Sequence, residues 1–251
     1  GELGVAATRG LQGRDGCHGA NTSLPLNRVA SQAKHYAAYG AGGRDGYTPA
    51  GGGPSERTVF EVYLRPWLKY AQAGGRGVML SHNMALWEPM HANKRLVTEV
   101  LRERFGLLGG YVGSDMGNVM QLTRNYQFTK EPDTAVLLSM AAGLDQNMGG
   151  QYATYTKELV LSGRLSNATL NRAVGNILRK KFASGLFDMP PTNPAGVSNI
   201  NSAAHRARAL DGLPSVWRFS HISAAGGGYR PARDPPTLKV ARGRFDPTLP
   251  E

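Results

Sequence analysis

A single cysteine, Cys17, stands in 251 residues, which excludes an internal disulfide and any cysteine-rich zinc site. Long apolar runs are missing as well. The longest nearly uncharged one, AVLLSMAAGL from Ala135 to Leu144, is about half of the roughly 20 residues that a membrane-spanning helix needs. No membrane partner is therefore expected. The chain opens GELGVAATRGLQG, with no Met, basic start or apolar signal core, so a removed leader or a start in mid-protein is the expectation. Acidic residues are scarce: 18 against 29 basic ones, a formal net charge of +11. That excess could serve a nucleic acid, but it is diffuse. Residues 191–251 hold eight basic and four acidic residues, or +4, which leaves +7 for the rest. The one tight run, Arg179-Lys180-Lys181, sits near the end of an expected helix, where cations meet the helix dipole favourably. Nucleic acid is not an expected partner.

Hydrophobic residues make up 41% of the chain, enough for a real core. Composition changes near Pro190-Pro191. Eight of the 15 prolines fall in the last 61 residues, together with Gly226-Gly227-Gly228. Such a stretch buries too little surface to offset its ordering entropy. The expected domains are thus a folded unit over 1–190 and a linker with a largely irregular tail over 191–251.

The first unit alternates short apolar runs with helical patterns. Ser55 can cap SERTVFEVYLRPWLKYAQAG, with Val59, Val62, Tyr63, Trp67 and Tyr70 near one face and Pro66 as a kink. GVMLSHN (77–83) reads as a strand. Asn93 caps NKRLVTEVLRERFG, with Leu96, Val97, Val100, Leu101 and Phe105 inward and Gly106 as the stop. GGYVGSD is the next strand, and Asp133 begins a helix through DTAVLLSMAAG. LDQNM is a weaker strand, and Tyr152 to Gly163 a helix. Ser166 caps SNATLNRAVGNILRKKFASG, with Leu170, Val174, Ile177, Leu178 and Phe182 inward.

Strand and helix at roughly 30-residue spacing is the βα rhythm of a parallel sheet or barrel, hence an α/β fold. In such folds ligands sit where the C-terminal strand ends converge. The endings AKH, SHN, SD and DQN therefore bring Lys34, His35, His82, Asn83, Asp115, Asp145 and Asn147 to one candidate mouth. Asp115 carries two readings. It is either a helix cap ahead of Met-Gly-Asn-Val-Met or a carboxylate nucleophile that attacks an anomeric carbon. Lys34 and His35 can orient sugar hydroxyls as donors, or be satisfied structurally, and Lys34 could also form a Schiff base. His82 is structural or a ligand. A metal held by His35, His82 and Asp115 has no supporting spacing, so neither metal nor cofactor is expected. Arg44-Asp45-Gly46 reads as a local turn in a glycine-rich loop long enough to rim a pocket.

AKHYAAYG, GPSERTVFEVYLRPW, VMLSHN, HANKRLVTEVLRERFG, GGYVGSD, MAAGLDQNM and AVGNILRKKFASGLFD occur in that order. Together, from about Leu11 to Asp188, they resemble the later part of the catalytic barrel of family 3 glycoside hydrolases, the β-glucosidase and β-xylosidase group. The resemblance implies an incomplete (β/α)8 TIM-type barrel and a retaining, exo-acting β-glycosidase acting on a β-linked oligosaccharide or glycoside. It implies that Asp115 is the nucleophile and that Lys34 and His35 bind the sugar in the non-reducing terminal subsite. His82 stands where the family often has an aromatic and Met116 where many members have Trp, so both belong to the expected substrate-binding set. Trp87-Glu88 ahead of Pro89 replaces a familiar Asn-Gly.

The family's sugar-binding Asp and Arg from an earlier barrel segment, and its acid/base Glu from a second α/β domain, have no counterpart here. HRARAL (205–210) looks like the opening of that second domain, and Asp211 onward reads as sequence alien to the family. A His-Asp acid/base dyad after the KH motif is not available, because residues 36–54 contain no His. The alternative expectation is an inert fragment that binds carbohydrate or a partner chain.

Overall fold

The structure is a computed structural model that describes residues 1–13, 23–24, 28–40, 54–107, 109–188 and 200–209. Cys17, Arg44-Asp45-Gly46, most of 191–251 and Asp211 onward lie outside these residues. The chain divides into one unit over 1–190 and another over 191–251. In the second, residues 203–209 are helical, so HRARAL begins in a helix rather than in irregular chain.

In the first unit, α1 (Glu2–Gln12) leads to β1 (Gln32–Tyr36). Then come α2 (Glu56–Thr58), a π-helical segment (Val59–Tyr63) and α3 (Arg65–Gln72). β2 (Gly77–Leu80), a hairpin of β3 (Met84–Ala85) and β4 (Glu88–Pro89), and a π-helix over Arg95–Arg104 follow. The unit continues through β5 (Tyr111–Gly113), α4 (Asn118–Arg124), α5 (Pro132–Ala142), α6 (Gln151–Leu161) and α7 (Asn167–Ala183). β1, β2 and β5 form a parallel sheet in that order. A parallel bridge between Gly113 and Gln146 continues it, which is all of LDQNM that joins the sheet. The fold is α/β with a partial parallel sheet.

Tyr36, Val78, Leu80 and Val112 point from the strands into one core with Leu64, Leu96, Leu101, Val119, Leu122, Val136 and Met140. Burying each such side chain contributes about 1.5–3 kcal/mol. Caps set several helix starts. The Ser55 and Ser166 hydroxyls accept the N–H groups of Thr58 and Thr169, both at 3.2 Å. The Asn93 carboxamide oxygen accepts the Leu96 N–H at 2.9 Å. Leu96, Val97, Val100 and Leu101 are buried beyond it as their spacing requires.

Two helical faces differ from the pattern. Val62 is 59% exposed, whereas its neighbour Leu64 is fully buried. The π segment adds a residue to its turn, closing Leu64 N–H to Val59 O at 2.9 Å, so the phase slips ahead of Pro66 and Leu64 takes the inward place. On α7 the buried residues are Ala173, Asn176, Lys180 and Ala183, while Val174, Leu178 and Phe182 face outward. The inward contact there is polar: the Asn176 carboxamide donates to Asp145 at 3.1 Å. Lys180, read in the sequence as part of a basic run near the helix end, is buried, and burial with the nearby Arg76 and Arg179 charges pulls its pKa down to about 8.

The hairpin register pairs Met84 with Pro89 and Ala85 with Glu88, leaving Leu86 and Trp87 as the two-residue turn. Their φ values of 54° and 70° lie in the left-handed region. A mirror-image turn of this kind favours Asn-Gly, and each bulky residue in it costs about 1–2 kcal/mol. The turn thus consists of Leu86-Trp87, one residue ahead of the Trp87-Glu88 pair singled out in the sequence.

Candidate active site at the C-terminal rim of the sheet

Asp115 follows β5 after one serine. The backbone on both sides of it is pinned. Ser114 N–H donates to Gln146 O at 2.9 Å, and Gly117 N–H to Met148 O at 2.8 Å. The Ser114 hydroxyl accepts the Met148 N–H at 2.7 Å. Gly117 has φ 73° and caps α4, a conformation that glycine adopts without a Cβ penalty. Asp115 is thus not the residue that caps α4. One of its carboxylate oxygens, Oδ1, accepts the N–H of Met116 at 2.7 Å. The other, Oδ2, lies 3.2 Å from His35 Nε2 and 3.1 Å from His82 Nε2. Both imidazole nitrogens thus face one carboxylate oxygen at ion-pair distance.

His35 comes from the end of β1 and His82 from the turn after β2, so three adjacent parallel strands deliver one cluster at one rim. Burial, and then the charge of Lys34, hold the His35 pKa below the ordinary imidazole value, against the pull of Asp115. Lys34 is exposed on β1 beside it. Met116 is 71% exposed at the mouth. Asn83 is buried and serves the frame: its side-chain N–H groups donate to Ala37 O at 3.1 Å and Met84 O at 2.9 Å. Asn147 is half-buried, its oxygen accepting from the Ser114 hydroxyl at 3.3 Å.

Asp145 does not reach the mouth. Its carboxylate is buried beneath the sheet, accepting from the Arg102 guanidinium, from Val112 N–H at 2.9 Å and from Asn176 at 3.1 Å. Arg102 is tied in turn to the carbonyls of Gly110 at 2.9 Å and Gly143 at 2.7 Å. Burial pushes the Asp145 carboxyl above its ordinary value, and Arg102 and the two N–H donors pull the other way. The motif DQN thus supplies a structural strut, because the strand that carries it joins the sheet through a single bridge.

Sequence reasoning missed two groups. The Tyr39 ring lies 5.0 Å from His35 and 6.2 Å from His82, and is half exposed. Its place three residues after the KH-aromatic motif was the available signal. His91 is fully buried behind the rim with Nε2 3.2 Å from Asn118 Nδ2, and burial lowers its pKa to about 3. Nothing in the sequence marked it apart from its place in HAN. Among the described residues no group of three His, Cys, Asp or Glu side chains is arranged to hold a metal, and no helix is long and apolar enough to cross a membrane.

A family model described as the glycosyl hydrolase family 3 N-terminal domain matches residues 1–180. The chain belongs to that family. Among the relatives of this family 3 chain is the periplasmic beta-glucosidase of Salmonella typhimurium, 29% identical over 83% of the chain and 27% of that protein. Another is the probable beta-D-xylosidase 7 of Arabidopsis thaliana, 30% identical over 84% of the chain and 28% of the xylosidase. The solved beta-glucosidase of Listeria innocua is 31% identical over 83% of the chain and 28% of its own length, with a TM-score of 0.69. That enzyme has been solved with glucose and, as a mutant, with laminaribiose. The chain therefore spans about a quarter of the length of the relatives it matches.

Proposed function

We propose that this chain is the later part of an incomplete (β/α)8 barrel of a retaining, exo-acting β-glycosidase, with Asp115 as the nucleophile. The observation that carries the reading is the Asp115 carboxylate at the C-terminal end of β5, its Oδ2 oxygen held by His35 and His82. Barrel chemistry sits at that end of the strands, and two imidazoles at ion-pair distance flank a group that must approach C1 of a sugar. The carboxylate attacks C1, and the bond to the leaving oxygen breaks with its electrons going to that oxygen. A water molecule then displaces Asp115 and restores it. His35, with the exposed Lys34, is placed to hydrogen-bond sugar hydroxyls, while His82 and Met116 border the mouth.

The proton for the leaving oxygen comes, in this reading, from a second domain beyond 1–190. General-acid assistance is worth roughly 10²- to 10⁴-fold, so the isolated chain turns over slowly even when it reacts with an activated substrate. A 2-fluoro glycoside with a good leaving group needs no acid for the first step. Mass spectrometry of the intact chain is expected to show one added glycosyl group, mapped to Asp115. If no adduct forms at any pH, the chain is an inert carbohydrate- or partner-binding piece and the catalytic reading is wrong.

A further inference from the structure

The turn that carries Asp115 is gripped at two points by one element. His82 Nε2 lies 3.1 Å from the Asp115 carboxylate, and His91 Nε2 lies 3.2 Å from Nδ2 of Asn118, where α4 begins. His82 and His91 stand on the two arms at the base of the β3–β4 hairpin. Met90 N–H donates to Asn83 O at 3.2 Å and closes that base, and Asn83 ties it to Ala37 O at 3.1 Å. The hairpin base is therefore a braced unit whose two imidazoles meet the first and last residues of the turn 115–118.

Left to its own backbone, this turn is weakly closed. The Asn118 N–H reaches Asp115 O at 3.4 Å, long for such a bond, and at Gly117 nothing is packed where a side chain would lie. Met148 O holds Gly117 from the other side at 2.8 Å, and the Asn118 side chain supplies the tie to the hairpin. Asn118 and His91 are both fully buried, yet the Asn118 carboxamide oxygen meets no hydrogen-bond donor among the described residues. A buried polar pair satisfied only in part stabilises less than two apolar groups of the same shape. Its presence behind Asp115 argues for orientation rather than stability. Burial lowers the His91 pKa to about 3, so the ring is neutral at ordinary pH, and a neutral ring has a lone pair for the amide N–H that a protonated ring lacks. The charges of His82 and Asp115 also act on His91, which places it close behind them.

We propose that His91 and Asn118 are positioning residues: through the turn 115–118 they set where the Asp115 carboxylate stands. Both are buried and act only through that turn. The inference rests on the nucleophile reading of Asp115.

The test uses the full 251-residue chain and two probes, a 2-fluoro glucoside and a 2-fluoro xyloside, each with a dinitrophenyl leaving group. Mass spectrometry follows the label on Asp115 over time and separates the rate constant of the covalent step from the affinity that precedes it. Three variants are compared: Asn118→Ala, His91→Gln, and the double change His91→Leu with Asn118→Ala. The double change replaces both polar partners by apolar groups and is expected to keep the urea midpoint at or above that of wild type. Its covalent step is expected to slow about 10- to 100-fold, the scale of a displacement of about 1 Å, with affinity unchanged. Asn118→Ala alone is expected to slow the same step. His91→Gln, whose amide can again meet Asn118, is expected to return most of the rate. A double variant that labels as fast as wild type overturns the positioning role alone, and so do losses of rate that only follow the loss of folded protein. A wild-type chain that takes label from neither probe overturns the positioning role and the nucleophile reading together.

Discussion

Asp115 and Asp145 both follow apolar strand-like stretches, 30 residues apart, and the sequence offers no local reason to treat them differently. Around Asp145 both carboxylate oxygens are satisfied from within the protein, by Arg102, Val112 and Asn176. Around Asp115 stand two partly exposed imidazoles at ion-pair distance and one donor, the N–H of the next residue. One carboxylate holds the π-helix, β5 and α7 to each other. The other is oriented yet open to solvent on one side. The comparison teaches that a strand-end acid becomes available for chemistry only where its neighbours satisfy it in part.

The sharpest way to break this contrast is to remove each acid. Asp145→Ala leaves Arg102 as an uncompensated buried charge and is expected to lower stability by about 3–5 kcal/mol. Asp115→Asn is expected to change it by less than about 1 kcal/mol while abolishing the 2-fluoro label. Urea unfolding of the two variants decides the point, and equal losses would erase the distinction.

The buried layer behind the rim should also carry an acid sensitivity that the rim alone does not. His91 has a folded pKa of about 3 against an unfolded value near 6.5. Below about pH 6.5 the unfolded chain takes up a proton that the folded chain refuses, so stability falls with pH until His91 itself protonates near pH 3. At pH 4.5 the expected loss is on the order of 3 kcal/mol. His35, also depressed, acts in the same direction. His91→Gln is expected to flatten the stability profile between pH 6.5 and 4.5, as followed by urea midpoints; an unchanged slope would remove His91 from the acid response.

Smaller effects test the frame around the two acids. The double change Leu86→Asn with Trp87→Gly is expected to stabilise the chain by about 1–2 kcal/mol by relieving the turn, and thermal unfolding would show the rise. Ser166→Ala, which removes the cap of α7, is expected to cost about 1 kcal/mol, seen as a lower urea midpoint. Should the cap variant cost as much as Asp145→Ala, α7 would depend on its terminus more than on Asn176 and the strut.

Much of this was legible in the residues. Ser55, Asn93 and Ser166 read as caps because a short oxygen ahead of an apolar period has one common use. Leu96, Val97, Val100 and Leu101 read as core because their spacing leaves no other face. Lys34, His35, His82 and Asp115 were legible as strand-end groups, and the order of motifs carried the family. Val62, Val174, Leu178 and Phe182 were misread because a π turn shifts the phase in one case, and because α7 turns its polar Asn176 toward a buried acid in the other.

By itself, then, the chain determined several helix starts and the strands that end in His35, His82 and Asp115, since caps, glycine stops and periodicity act over a few residues. Only the tertiary structure decided which strand-end acid is satisfied and which stays open, where the two-residue turn falls, and that three strands deliver two imidazoles to a single carboxylate oxygen. Those outcomes depend on donors far apart in sequence, Arg102 and Asn176 for one acid and His35 and His82 for the other, and no local pattern encodes their meeting.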